Sequence, residues 1–150
     1  MRIWFDTEFI DNGKTIDLIS IGMVREDGNE LYLQNVECDR SKACDWVKEN
    51  VFPGLDDSFN VSKSLMRQQI FEFAEARPKF WAYYAAYDWV VLCQLFGRMI
   101  DVPKGWPMYC RDVKQLIGNK PIMSEPTNKH NALSDALWIR DIHINHERNI

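Results

Sequence analysis

The sequence predicts an α/β domain: a mixed five-stranded sheet, part antiparallel meander and part parallel strands, flanked by helices. Two observations predict it. The first third of the chain holds three short runs rich in β-branched, aromatic and aliphatic residues, separated by Asn12-Gly13 and Asp27-Gly28; those dipeptides suit tight turns with positive φ. The rest of the chain alternates helical periodicity with short apolar runs, which points to strands joined in parallel through helical crossovers.

Residues 2–9, 17–24 and 30–36 form the three strands of the meander. Residues 41–50 read as a helix that stops near Pro53-Gly54. Residues 64–77 place Met66, Ile70, Phe73 and Ala74 on one face, with Ser62 or Ser64 as N-cap. Pro78 ends that helix, because the residue before a proline is pushed out of the α region. Residues 79–85 are a fourth strand, apolar after Lys79 and so expected to be buried on both faces. Residues 88–96 are a short helix with Gly97 placed to cap its end. Residues 103–107 are loop, residues 108–110 a short fifth strand, and residues 131–147 a closing helix with Ala132, Ala136, Ile139 and His143 on one stripe. A three-strand meander extended through helical crossovers is the ribonuclease H-like arrangement.

Composition narrows the function classes. The 150 residues are 46% hydrophobic, enough for one core without disulfides or a structural metal. No repeat or linker divides them, so residues 1–150 are expected to form a single domain. Eighteen Lys and Arg against 22 Asp and Glu leave a net charge of −4. That excludes a broadly basic nucleic-acid coat, but not an enzyme that grips a nucleic acid at one end through bound cations. The longest uncharged stretch, residues 89–97, is far short of the ~20 apolar residues of a membrane span. Arg2 and Asp6 interrupt the opening residues, and Cys38, Cys44, Cys93 and Cys110 form no C-x-x-C pair. Four reduced thiols in a cytoplasmic protein follow.

The acids are unusually placed. Asp6 and Glu8, at i and i+2 of the first strand, project from one face. Two like charges on a half-buried face require a neutralising cation, which suggests hard-cation ligation of the Mg²⁺ or Mn²⁺ kind. If the strand instead ends at Phe5, both sit in a solvated loop. Asp88 follows eight uncharged residues where a buried strand turns into a helix; it suits a helix cap, and equally a site at the carboxyl end of a strand. His130 stands just before the last helix and Asp135 just over one turn inside it. A loop histidine can take and release a proton near neutrality. Alone, the pair also reads as a surface histidine beside an exposed aspartate.

Together, D-x-E on the first strand, an aspartate after the fourth, and H-x-A-x-x-D-A on the final helix resemble the DEDDh 3′-5′ exonucleases. Asp6 and Glu8 match the first motif, Asp88 the second, His130 and Asp135 the third. The segments Phe5-Asp6-Thr7-Glu8-Phe9-Ile10, Ala86-Tyr87-Asp88 and Leu92-Cys93-Gln94-Leu95-Phe96-Gly97 are similar to the bacterial polyadenylate-specific 3′-exoribonucleases (ribonuclease AS). The last segment is the most telling, since catalysis does not require it.

The resemblance implies a two-metal mechanism: Asp6, Glu8, Asp88 and Asp135 hold two Mg²⁺, with Mn²⁺ able to substitute, and His130 is the general base for the attacking water. It implies a substrate of single-stranded RNA cut from 3′ poly(A) ends, a product of nucleoside 5′-monophosphates, and a possible homodimer. Thr7 and Phe9, beside the first motif, are the expected substrate contacts, with Phe9 either stacked on a base or packed in the core. A DNA exonuclease of the same type is the first alternative, and a non-catalytic RNA-binding module the second. Trp81, Tyr83 and Tyr84 are expected in the core. His143 and His146 suit either a metal or a helix C-terminus. Arg111, Lys114, Lys120 and Lys129 read as a solvated face.

Overall fold

The first strand decides the architecture, because everything else is built out from it. The computed structural model describes residues 1–150. Strand β1 (Arg2–Asp11) lies inside the sheet, antiparallel to β2 (Ile16–Arg25), which in turn pairs antiparallel with β3 (Glu30–Asn35). After a helical turn at Arg40–Lys42 and helix α1 (Asp45–Asn50), a two-residue strand β4 (Asn60–Val61) adds in parallel to β3. Helix α2 (Lys63–Ala74) leads to β5 (Lys79–Ala82), which pairs in parallel with the start of β1. Helix α3 (Ala86–Gln94) follows, then β6 (Arg111–Asp112) parallel to β5, helix α4 (Val113–Ile117) and the long α5 (Ala132–Arg148). The strand order is β4-β3-β2-β1-β5-β6.

The mixed sheet flanked by helices is the predicted fold, with six strands in place of five. β4 is too short to carry an alternation, so no periodicity announces it. The fifth predicted strand, at residues 108–110, lies one step later at Arg111–Asp112, a polar pair whose pairing with Trp81 and Ala82 is long-range. β5 ends at Ala82 rather than Ala85, because the chain turns sharply there: Tyr84 takes φ 52°, and its N–H and that of Ala85 donate to the Asp112 carboxylate at 3.3 and 3.0 Å. Tyr84 is therefore 65% exposed, not in the core. Of the two predicted caps of α2, Ser62 is the one used, its hydroxyl accepting from the Leu65 N–H at 3.1 Å. No helix is long and apolar enough to cross a membrane.

Alternation along β1 assigns its two faces. Ile3 and Phe5 pack with Ile21, Met23, Met66, Ile70, Phe80 and Leu92 against α2 and α3. Trp4 packs with Val24, Ala136, Ile139 and Ile142 against α5. Asp6 and Glu8 share the parity of Trp4, so the pleat turns them toward α5. Opposite Asp6 in the ladder is Gly22. A Cβ there would lie 2.2 Å from the Leu133 nitrogen and 2.3 Å from the Ala132 carbonyl carbon. This bare backbone lets the first turn of α5 descend onto the sheet.

The other end of α5 is fastened as well. His143 is fully buried, and its Nδ1 accepts a hydrogen bond from the Trp4 indole N–H at 2.8 Å. Arg2 donates to Glu147 at 2.9 and 3.0 Å. Of the expectations for His143, the inward stripe it shares with Ala132, Ala136 and Ile139 is the one it meets: it is a satisfied core histidine. Gly22→Ala should destabilise the fold by about 1–3 kcal/mol, because backbone on both sides must move; an unchanged urea-unfolding midpoint would show that α5 does not rest there.

Candidate active site

Four elements deliver the site. β1 supplies Asp6 and Glu8, α3 supplies Asp88 in its first turn, and the first turn of α5 supplies Asp135. The loop before α5 supplies His130. Asn131 caps α5, its side chain accepting from the Ser134 N–H at 3.0 Å, which fixes where the helix begins and so where Asp135 stands. His130 takes φ 66°, a left-handed turn that reverses the chain over the site. Its backbone N–H donates to Asp135 Oδ2 at 3.2 Å.

All five predicted site residues converge. One ligand-type atom each from Glu8, His130 and Asp135 lies within 4.8 Å of the others. Asp6 feels Asp88, Glu8 and Asp135, and Glu8 feels Asp135 and Asp88. Burial first, then this mutual repulsion, holds the Asp6 carboxyl well above the usual carboxylate range. The same causes push Glu8 up to about 8. Asp88 rises to about 6 through burial, restrained by hydrogen bonds from the Thr7 hydroxyl and backbone N–H. Asp135 rises to about 6 through burial, opposed by the His130 N–H and the Lys129 charge. His130 is lowered by burial and by Lys129, which keeps its imidazole neutral near pH 7.

Like charges held together on half-buried positions around the buried Asp88, raising one another's pKa, make poor structural neighbours. One atom says what they lack: Asp135 Oδ1 is buried and has no hydrogen-bond partner. Carboxylate oxygens crowded together with one oxygen left unsatisfied form a donor set suited to a hard divalent cation. Glu8, His130 and Asp135 bring their ligand atoms close enough together to hold one, and Asp6 and Asp88 lie near enough to interact with that cluster.

The two expected substrate contacts separate. Thr7 is buried, and both its hydroxyl and its N–H (the latter at 3.0 Å) donate to Asp88 Oδ1, so its polar atoms face the carboxylate. Phe9 follows a β-bulge between Glu8 and Phe9 that breaks the register with β2. It stands edge-on to Tyr87 at 6.0 Å and lines an open groove of about 260 Å³. Residues 7–11 form one wall of that groove, and Cys44 just before α1 with Trp46 and Val47 of α1 the other. Two larger grooves, of about 560 and 570 Å³, lie along the 117–149 region and contain none of the four acids.

Three residues that build the site were not read from the sequence in these roles. Thr7 acts through Asp88, Gly22 admits α5, and the Trp46 ring meets the His130 ring at 4.9 Å, nearly perpendicular. A glycine inside an apolar strand signals close backbone approach, so Gly22 was findable. Trp46, on a six-residue helix far from every motif, had no signal.

A ribonuclease H-like sheet bearing clustered acids at the edge of β1 and the starts of α3 and α5 defines a nuclease-type domain. The fold is that of exonuclease I, with a TM-score of 0.66 over 97% of this chain and 40% of that one. At 13% identity this likeness speaks for the fold alone, and this chain spans well under half of that protein. The 3′-5′ exoribonuclease Rv2179c-like domain model matches residues 1–145. The 3′-5′ exoribonucleases Rv2179c and MT2234.1, from two strains of Mycobacterium tuberculosis, are each 40% identical to this chain over 146 residues, covering 91% of it and 87% of their own length. The chain belongs to the Rv2179c-like 3′-5′ exoribonuclease family.

Raised carboxyl pKa values set a sign for stability. Between the ordinary Glu value of 4.5 and about 8, folded Glu8 keeps a proton that the unfolded chain releases, so its contribution to stability falls as pH rises through that window. In chelator, Glu8→Gln should therefore gain in thermal midpoint over the wild type as pH goes from 5 to 8. A difference that stays flat with pH would show that Glu8 is not held in a repulsive, buried setting.

Proposed function

We propose that this chain is a divalent-metal-dependent 3′-5′ exoribonuclease that releases nucleoside 5′-monophosphates from single-stranded RNA, with poly(A) 3′ ends as its preferred substrate. The observation that carries the reading is the buried, unpartnered Asp135 Oδ1 within a cluster of acids that cannot all ionise unaided. Family membership supports RNA as the substrate. The preference for adenine and the likeness to ribonuclease AS rest on the segments 5–10, 86–88 and 92–97.

Two Mg²⁺ ions, or Mn²⁺ in their place, would supply a polarised water and charge neutralisation at the scissile phosphate. Asp6, Glu8, Asp88 and Asp135 would hold them. His130, neutral at pH 7 and on a loop over Glu8 and Asp135, accepts the proton of the attacking water at an imidazole nitrogen. Thr7 holds the Asp88 carboxylate in place through two donors. Phe9, freed from the regular register by the bulge, offers its ring to the terminal base. Residues 1–150 act as one exonuclease domain, and a homodimer is the assembly that the resemblance to ribonuclease AS implies. The four cysteines are unpaired, which suits a reducing cytoplasm.

The test uses 5′-labelled oligo(A), oligo(U) and oligo(dA) with Mg²⁺ or Mn²⁺. The expected result is a ladder shortening from the 3′ end with release of AMP, fastest on oligo(A), and no activity in chelator. Asp88→Asn should lower kcat by ~10²-fold or more; full activity in that variant would remove the two-metal assignment. Equal rates on all three oligomers would overturn the substrate preference. Thr7→Val, which leaves every acid in place, should cost about 10–100-fold in activity or metal affinity, and a wild-type rate would show that Asp88 needs no such support.

A further inference from the structure

The groups that orient His130 come from two sides. From one side, its backbone N–H is tied to Asp135 Oδ2 at 3.2 Å. That bond fixes the backbone and leaves the imidazole free to turn about its side-chain bonds. From the other side, the indole of Trp46 meets the imidazole at 4.9 Å between ring centres, with the planes at 83°. This is the edge-to-face arrangement that aromatic rings favour.

Trp46 is itself firmly based although the residue is 52% exposed. Its neighbour Val47 packs with Ile10, Ile19, Ala43 and Val51, which seats α1 on the β1 segment just past the bulge. The Asn50 side chain donates to the Trp46 carbonyl at 2.8 Å. A half-exposed tryptophan contributes little to the core, so burial does not account for its placement. What it does contact is the one histidine of the site.

We propose that Trp46 is a positioning residue: its indole braces the His130 imidazole in the orientation that faces Glu8 and Asp135. This rests on the reading of His130 as the general base. The brace links α1, seated on the sheet through Ile10, to a loop that otherwise hangs from the N-terminus of α5. The residue acts through His130 and requires no contact with RNA.

The test is a double-mutant cycle on the full chain with oligo(A). Trp46→Ala should lower kcat by about 10-fold, leave KM and the thermal midpoint nearly unchanged, and Trp46→Phe should restore most of the rate. In a His130→Ala background, Trp46→Ala should have no further effect on kcat. Equal losses in both backgrounds would overturn the proposal. So would a raised KM with kcat intact, which would make Trp46 a substrate contact. A second readout does not depend on activity: Trp46→Ala should shift and broaden the His130 ring-proton NMR signals by removing the indole ring current and the brace. An unchanged His130 signal would overturn the proposal as well. A wild-type protein that cleaves no RNA would instead fail the reading of the site, while the spectrum still decides the brace.

Discussion

Repulsion among four carboxylates is the constraint around which this molecule is built. Two ionised carboxylates 4.8 Å apart, the spacing limit for the Glu8 and Asp135 oxygens, repel by roughly 3–4 kcal/mol at an effective dielectric of ~20. A whole domain of this size has only about 5–15 kcal/mol of net stability. Several such pairs cannot stand ionised together in the bare fold. The chain answers with protons: burial first, and for Glu8 and Asp135 the neighbouring carboxylates after it, pushes Glu8 up to about 8 and Asp135 to about 6, while burial raises Asp88 to about 6. The scaffold must hold the cluster against this tendency to spread.

It does so by fastening α5 at both ends. At the start, Gly22 allows backbone to lie on backbone directly across the ladder from Asp6. Toward the end, the Trp4–His143 hydrogen bond and the Arg2–Glu147 pair tie the helix to the first residues of the same strand. Between them, Ala136, Ile139 and Ile142 fill the interface with Trp4 and Val24. A helix held at both ends is close to a rigid rod, so Asp135 cannot retreat from Asp6 without unseating the core. Asp88 arrives from the opposite layer and needs its own restraint, which the two Thr7 donors provide.

Much of this was legible in the sequence, for physical reasons that differ by element. The meander was written in Asn12-Gly13 and Asp27-Gly28, whose backbone preferences are local, and in three strands long enough to show their composition. β4 was not, and β6 was legible only to within a step of its place, since two-residue pairings are decided by distant partners rather than by their own residues. The acids of the site stood out because a charge is anomalous beside apolar strand residues; Asp6, after Ile3, Trp4 and Phe5, is the clearest case. Thr7 is expected as a substrate contact only through the resemblance; its parity on the strand, opposite to the two acids, carries its side chain to Asp88 instead. His143 was ambiguous because a helical stripe cannot tell a buried histidine from a terminal one; only the Trp4 indole, 139 residues away in the chain, settles it.

On the proposed reading, the same repulsion explains how a chain of net charge −4 acts on a polyanion. Without cations, the acid cluster repels the scissile phosphate. With cations held by the carboxylates, the sign of the local field reverses and the cleft attracts phosphate. Cation occupancy and RNA affinity are then linked, each raising the other by the same factor. A surface of mixed charge suffices for such an enzyme, because attraction is generated only at the spot where the bond is to be broken.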